Sequence, residues 1–304
     1  MRSSERAASR VGGHASVAGG LAKTGLSYVD STAAGAVQVY VSNSRGWALP
    51  DGDAAQDIAF RDGCESRDVA VYIHASLLVN VGSPTPATVE RSVATLDHAL
   101  RRGRAIGARA VVFHAGSAVD AAHEGAALRQ VREALLPLLD TAAGTGGPRL
   151  LVEPSAGGGR CLASLVEDLA PYLDAVDHHP WLGVCFDTCH AWAAGHDLAA
   201  PGGMTATLDR LVAAVGPDRL HLVHANDSKD SCASTRDRHE SVGAGSIGEA
   251  AFAELLAHPA TAGVPVIVET PNSDGTGHAA DIATLKRLRP VPVRTRVRQQ
   301  AAAR

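Results

Sequence analysis

The sequence predicts an α/β fold of the (β/α)8 TIM-barrel type, with a metal cluster at the C-terminal face of the strands. Three observations carry the fold. Eight short runs rich in Val and Leu recur along the 304 residues, most of them apolar nearly throughout, as strands covered on both faces are. Helix-period stripes separate the runs. No Gly-rich phosphate loop marks the open doubly wound sheet, which is the alternative arrangement of such units. The length is close to the ~250 residues typical of the barrel.

Taken in order, the strand runs are RVGGH (10–14), AVQVYVSN (36–43), VAVYIHAS (69–76), ARAVVFHAGS (108–117), RLLVEPSAG (149–157), LGVCFDTCH (182–190), LHLVHANDSK (220–229) and VPVIVETPN (264–272). The unit after the second run, DAAQDIAFRDGC, is expected to be a poor helix with one good apolar pair. After the third, Val89, Val93, Leu96 and Leu100 share one face, with Thr85 placed to cap the helix and Pro86 suited to its first turn. Leu128, Val131, Leu135 and Leu138 repeat the stripe after the fourth run. Leu162, Leu165, Leu169 and Leu173 do so after the fifth. Leu208, Leu211 and Val215 follow the sixth, Phe252, Leu255 and Leu256 the seventh, and Ile282, Leu285 and Leu288 the eighth. The barrel is therefore expected over residues 11–290. Residues 1–10 are expected to be a disordered extension and 291–304 a disordered basic tail.

Composition narrows the partners. Hydrophobic residues at 45% and charged residues at 20% allow a sizeable core. A net charge of -4 excludes nucleic-acid binding by bulk positive charge, and 4% aromatics argue against a wide base-stacking platform. Five cysteines at no framework spacing point to a reducing compartment. No apolar run reaches membrane-spanning length and the charged N-terminus has no signal-peptide core, so a cytoplasmic, nucleoid-associated monomer with no membrane partner is expected.

Active sites of such barrels lie at the C-terminal ends of the strands. The residues there are His14, Asn43, His74, His114, Glu153, Asp187, His224 and Glu269. His190 follows the sixth strand, and Asp237 and His239 lie in the loop after the seventh. The other histidines (98, 123, 178, 179, 196, 221, 258 and 278) fall on helices, loops or strand starts and read as structural or solvent-facing. Nine or ten N and O donors on one rim suit zinc or manganese and are too many for one ion. Two ions ~3.5–4 Å apart can clamp an in-line phosphoryl displacement. They would also supply the local positive field that the net charge withholds. Cys185 and Cys189, which flank Asp187, read as small packing residues rather than thiolate ligands.

His14, Asn43, Asp187, His190, His224, Asp237 and His239 sit within GGHASVAGGL, SNSRGW, GVCFDTCHAWAAGHDL and HANDSKDSCASTRDRHESVGAGSIG, stretches that together resemble the bacterial endonuclease IV family of base excision repair. The resemblance spans about residues 11 to 290. It implies three zinc ions, with manganese admissible in some positions. His74, His114 and Glu153 resemble the ligands of the first. Glu153 would bridge to a second held also by Asp187, His224 and Glu269, and His190, Asp237 and His239 resemble the ligands of the third. Glu153 and Glu269 would stand at the reacting phosphate, and His14 is expected near the site without being a ligand. The implied substrate is double-stranded DNA containing abasic sites. A hydroxide between the first two zincs would attack the phosphate 5′ to the abasic sugar, giving a 3′-hydroxyl and a 5′-deoxyribose phosphate. Trimming of 3′ ends is a further activity that the resemblance brings into view. Arg45 matches an Arg that enters the base stack and Leu77 stands where a Tyr is usual, while Lys229 could meet a phosphate or simply cap its loop. Ala75, Pro154, Gly158 and Glu240 also depart from the family's usual residues.

Two other readings of the chain remain. A single-metal sugar isomerase or epimerase would use only Glu153, Asp187, His224 and Glu269. A non-cleaving abasic-site binder would keep the metals without the reaction.

Overall fold

The computed structural model describes residues 9–272, 275 and 277–290. Strands β1 (Val11–His14), β2 (Ala36–Val39), β3 (Ala70–His74), β4 (Ala108–His114), β5 (Arg149–Glu153), β6 (Leu182–Asp187) and β7 (Leu220–His224) are parallel neighbours in sequence order. A two-stranded antiparallel ribbon, β8 (Asp227–Ser228) and β9 (His239–Glu240), interrupts the series. β10 (Val266–Val268) then pairs with both β7 and β1 and closes the barrel. Gly12 permits a close approach of β1 to β2, since a Cβ there would lie 1.6 Å from the Ala36 carbonyl oxygen.

Nine helices are described: α1 (Leu21–Thr32), α2 (Ala54–Ser66), α3 (Pro86–Ile106), α4 (Glu124–Gly144), α5 (Leu169–Ala175), α6 (Thr188–Ala194), α7 (Gly203–Val215), α8 (Glu249–Ala257) and α9 (Gly277–Leu288). Strand alternation divides the core in two. Ala36, Tyr72, Val112, Leu151, Cys185, Leu222 and Ile267 fill the barrel interior. Val37, Ile73, Phe113, Leu150 and Val184 belong to a second cluster, which the helix residues Leu96, Leu135, Leu211 and Phe252 complete. No described helix is long and apolar enough to cross a membrane.

Four local expectations are corrected. The segment after β2 is a well-formed helix of 13 residues, α2, whose N-terminus is capped by the Asp53 carboxylate accepting from the Ala55 and Gln56 amides. Its apolar pattern is weak because the buried face includes Asp57, which Arg102 binds through two 2.7 Å hydrogen bonds. Thr85 occupies the cap position of α3 without a side-chain hydrogen bond, although Pro86 does open the helix. The stripe from Leu162 to Leu173 is helical only from Leu169, because the Asp168 carboxylate takes the amides of Ser164 and Leu165 and a 3-10 turn precedes the helix. Finally, Ser9 and Arg10 belong with the folded barrel rather than the extension. Ser9 is buried and its hydroxyl donates to the Thr261 carbonyl, while Arg10 pairs with Asp68 at 2.7 Å. Residues 1–8 and the tail 291–304 lie outside the described residues.

Candidate metal centre

The period of two that fills the barrel also builds the site. Cys185 points into the barrel, so Asp187 does too; the same relation links Tyr72 to His74, Val112 to His114, Leu151 to Glu153, Leu222 to His224 and Ile267 to Glu269. On β2 the relation links Ala36 to Gln38, which corrects the expectation for Asn43. β2 ends at Val39, and Asn43 lies in the loop beyond, where its side chain accepts the Arg45 amide at 2.8 Å. Gln38 is wholly buried and hydrogen-bonds His14, Glu269 and His224. Its trace in the sequence was a lone polar residue in an otherwise apolar run.

Past the strand ends, the Asp187 carboxylate accepts the His190 amide at 2.8 Å and caps α6, a helix the sequence reading did not foresee. This turn brings His190 to the rim. The β8–β9 ribbon brings Asp237 and His239 to the same side, with His190 Nε2 3.3 Å from Asp237 Oδ2 and His239 Nε2 2.8 Å from Asp237 Oδ1. All nine predicted donors thus meet at one mouth. Ligand-type atoms lie within 4.8 Å of one another in the groups His74–His114–Glu153, Asp187–His224–Glu269 and Asp187–His190–His239. Glu153 joins them. Its Oε2 faces His74 Nε2 at 3.3 Å and His114 Nε2 at 3.6 Å, whereas its Oε1 faces His224 Nδ1 at 2.9 Å and His190 Nδ1 at 3.4 Å.

The imidazole hydrogen bonds show that this donor set fits cations. His74 Nδ1 is bound to the Ala75 carbonyl at 2.8 Å, His190 Nδ1 to the Pro154 carbonyl at 3.0 Å, and His239 Nδ1 to the Glu269 carbonyl at 3.1 Å. His224 Nε2 is bound to Gln38 Oε1 at 2.9 Å. An oxygen acceptor requires N–H at each of these nitrogens, so in the neutral ring the other nitrogen carries a lone pair. In all four cases that nitrogen faces carboxylate oxygen. Lone pair against anion is repulsive unless a proton or a metal ion lies between, and a metal-ligating His is held from behind in this same way. His239 Nε2 is the clearest case, being buried and close to Asp237 without forming a hydrogen bond. Among the described residues no Lys or Arg pairs with Glu153, Asp187, Asp237 or Glu269.

The same contacts shift the acidity of the donors. Burial pushes the Glu153 carboxyl up, but His224, His74 and His190 outweigh it and hold it well below the usual carboxylate range. Burial opposes charge on His224, yet the Glu269 and Glu153 carboxylates beside it raise it well above an ordinary imidazole. His114 moves the other way, lowered by burial to about 4, and is a neutral donor. Burial raises both flanking thiols, Cys185 to about 12, which keeps them protonated.

The mouth opens into a cavity of about 450 Å³ lined also by Tyr40, Leu77 and His278. His14 lines it beside Glu269 at 3.3 Å, with its Nε2 buried and unpartnered. His278, read as structural, is indeed tied to Tyr28 and the Thr270 carbonyl, but it reaches this wall. Arg45 and Leu77 are placed on two loops joined by the Leu77 amide donating to the Ser44 carbonyl at 2.9 Å, and Leu77 is exposed. Lys229 is exposed beside the ribbon, its amide bound to the Arg238 carbonyl. Asn226 escaped the sequence reading. Fully buried, it donates to Asp187 Oδ2 and accepts the Glu269 amide, both at 2.7 Å.

A (β/α)8 barrel with a donor-lined C-terminal mouth defines the class, and the family described as a xylose isomerase-like TIM barrel matches residues 26–289. Within that class the chain is 57% identical over 279 residues to a Streptomyces coelicolor protein named Probable endonuclease 4, covering 92% of this chain and 95% of that one. It is 37% identical over 280 residues to a Nitratidesulfovibrio vulgaris protein of the same name, covering 91% and 98%. The crystal structure of endonuclease IV from Thermus thermophilus matches with a TM-score of 0.80 at 33% identity, covering 92% and 98%. The chain belongs to the endonuclease IV family. A D-tagatose 3-epimerase-like protein, with a TM-score of 0.67 at 16% identity, shares the barrel alone.

Proposed function

We propose that the chain is a metal-dependent DNA-repair phosphodiesterase. It hydrolyses the phosphodiester 5′ to an abasic site in double-stranded DNA and leaves a 3′-hydroxyl and a 5′-deoxyribose phosphate. The observation that carries this reading is Glu153, whose Oε2 faces His74 and His114 while its Oε1 faces His224, as a carboxylate shared between two cations would. His74, His114 and Glu153 would hold one zinc. Glu153, Asp187, His224 and Glu269 would hold a second, and His190, Asp237 and His239 a third, with manganese admissible. When bound, such ions supply electrophilic charge at phosphorus and bring the acidity of a water close to neutrality.

The protein's own groups do the positioning. Four carboxylates at the mouth would repel a phosphodiester on their own, so the substrate's charge matches this site only when cations offset them. The backbone carbonyls behind His74, His190 and His239 fix where each lone pair points, before any ligand arrives. Arg45 and Leu77, on loops that brace each other, would meet the duplex, Leu77 as an apolar wedge and Arg45 as a cation. Lys229 would meet a backbone phosphate.

The test is an oligonucleotide duplex carrying one tetrahydrofuran abasic analogue. Incision 5′ to the lesion, lost in Glu153→Ala, is expected. Binding without a nick would identify a sensor. One tightly held metal per chain with neither binding nor incision would point to sugar isomerase chemistry at Glu153, Asp187, His224 and Glu269.

A further inference from the structure

We propose that Gln38 is a positioning residue that sets the tautomer of His224 and the seat of Glu269, and thereby the metal affinity of the group these two form with Asp187. The inference rests on the metal reading above.

Four rim imidazoles are anchored through one nitrogen. For His74, His190 and His239 the anchor is a backbone carbonyl, which no substitution removes. For His224 it is a side chain, the Oε1 of Gln38 at 2.9 Å. The direction of this contact follows from its neighbours. Glu269 Oε1 lies 2.7 Å from the Gln38 amide nitrogen, and an ionised carboxylate only accepts. The amide must therefore turn its NH2 to Glu269, and its second hydrogen points at His14 Nδ1, 3.0 Å away. That leaves Gln38 Oε1 facing His224 Nε2, which must carry the hydrogen. His224 Nδ1 is then the lone-pair nitrogen, and it faces Glu153 at 2.9 Å and Glu269 at 3.3 Å. One amide thus orients two donors of one group, from a position that is wholly buried and closed to water as a substitute partner. Its hydrogen bonds do not reach the His74–His114 pair or the His190–Asp237–His239 group. Its effect should be confined to one of the three sites.

The experiment compares wild-type protein with Gln38→Met, which keeps the length but removes the amide's oxygen and NH2, and Gln38→Glu, which keeps an acceptor oxygen. Two measurements are made. Long-range proton–nitrogen NMR of the metal-free proteins, recorded at a pH high enough that the His224 ring is neutral, reads its tautomer, assigned with a His224→Gln control. Zinc retained per chain across a series of buffered free-zinc concentrations reads the affinity of each site. Wild-type protein is expected to show His224 with the hydrogen on Nε2. In Gln38→Met this form should give way to a mixture, and one zinc of the three should be held ~10–100-fold more weakly with the other two unchanged, the size of effect typical of groups behind a metal ligand. Gln38→Glu should keep the Nε2–H form, yet also hold that zinc more weakly, because its second oxygen faces Glu269.

An unchanged His224 tautomer and unchanged zinc affinities in Gln38→Met would overturn the proposal, as would uniform weakening of all three sites. If Gln38→Met does not fold, loss of the Nε2–H form in Gln38→Glu overturns it. If wild-type protein binds no divalent metal, the reading of the site itself fails, while the tautomer comparison still decides whether Gln38 orders His224.

Discussion

Replacing Asp227 by Asn would remove one charge and almost no volume, yet the structure predicts a large loss of stability. Asp227 is wholly buried beneath the loop that follows the β8–β9 ribbon. Its Oδ1 accepts the amides of Ser228 at 2.7 Å and Ile247 at 2.9 Å. Its Oδ2 accepts those of Gly243, Gly245 and Gly248 at 3.0, 3.1 and 3.2 Å. The packing is close enough that a Cβ on Gly245 would lie 2.4 Å from Oδ1. An Asn side chain offers one oxygen. Its best orientation keeps that oxygen on the three-donor side and turns its NH2 against the Ser228 and Ile247 amides, donor facing donor. Two charge-assisted bonds are lost at ~1.5–3 kcal/mol each. The three that remain become neutral and about half as strong. The loop can relax, so the low end is the better guide, roughly 3 kcal/mol or somewhat more. At ~2–4 °C per kcal/mol, as for domains somewhat smaller than this one, the melting midpoint should fall by roughly 6–12 °C. Thermal unfolding followed by circular dichroism, with chelator present so that metal release does not contribute, is the assay. A midpoint within ~2 °C of wild type would refute the reasoning. Asp227 pairs with Glu240 in the ribbon, beside His239, so the variant should also release one metal more readily than wild type.

Other expectations follow from the same geometry. Glu153→Gln should lower incision of the abasic duplex by ~10³-fold or more, since one residue serves two donor groups, and metal analysis should show fewer ions retained. Arg102→Met should cost ~3–5 kcal/mol in chemical denaturation, because it strands the buried Asp57 carboxylate without its partner. Arg45→Ala should weaken DNA binding and reduce the slope of log affinity against log salt by ~1, measured by fluorescence anisotropy. In metal-free protein, burial opposes charge on His239, but Asp237 and Asp187 raise it from 6.5 to about 9. A raised imidazole favours the fold below its ordinary value and loses that contribution as pH climbs through the raised one. The metal-free midpoint should therefore fall between pH 6.5 and about 9, while metal binding, which displaces the proton, tightens over the same interval. Melting scans and zinc titrations at several pH values check both signs.

The strands were legible because burial on both faces leaves nearly unbroken apolar runs, and the site was legible because ionisable residues at the ends of those runs have no structural reason to be there. Gln38 shows where this stops. The second run continues apolar to Val41, so the sequence places its end near Asn43, whereas hydrogen bonding ends the strand at Val39. The α2 helix shows the complementary loss. Its buried face holds Asp57, and that residue reads as polar until Arg102, distant in sequence, is placed beside it.

By itself the sequence determined the eight barrel strands and, on every one but the second, the donor at the strand end, since these depend on local periodicity. Only the tertiary structure decided which oxygen of Glu153 faces which imidazoles, which nitrogen of each His is free, and that Gln38, Asn226 and Asp227 hold the site in place. Those are matters of direction between groups far apart in the chain. A hydrogen bond has a sign and an angle, and neither is written in the spacing of residues.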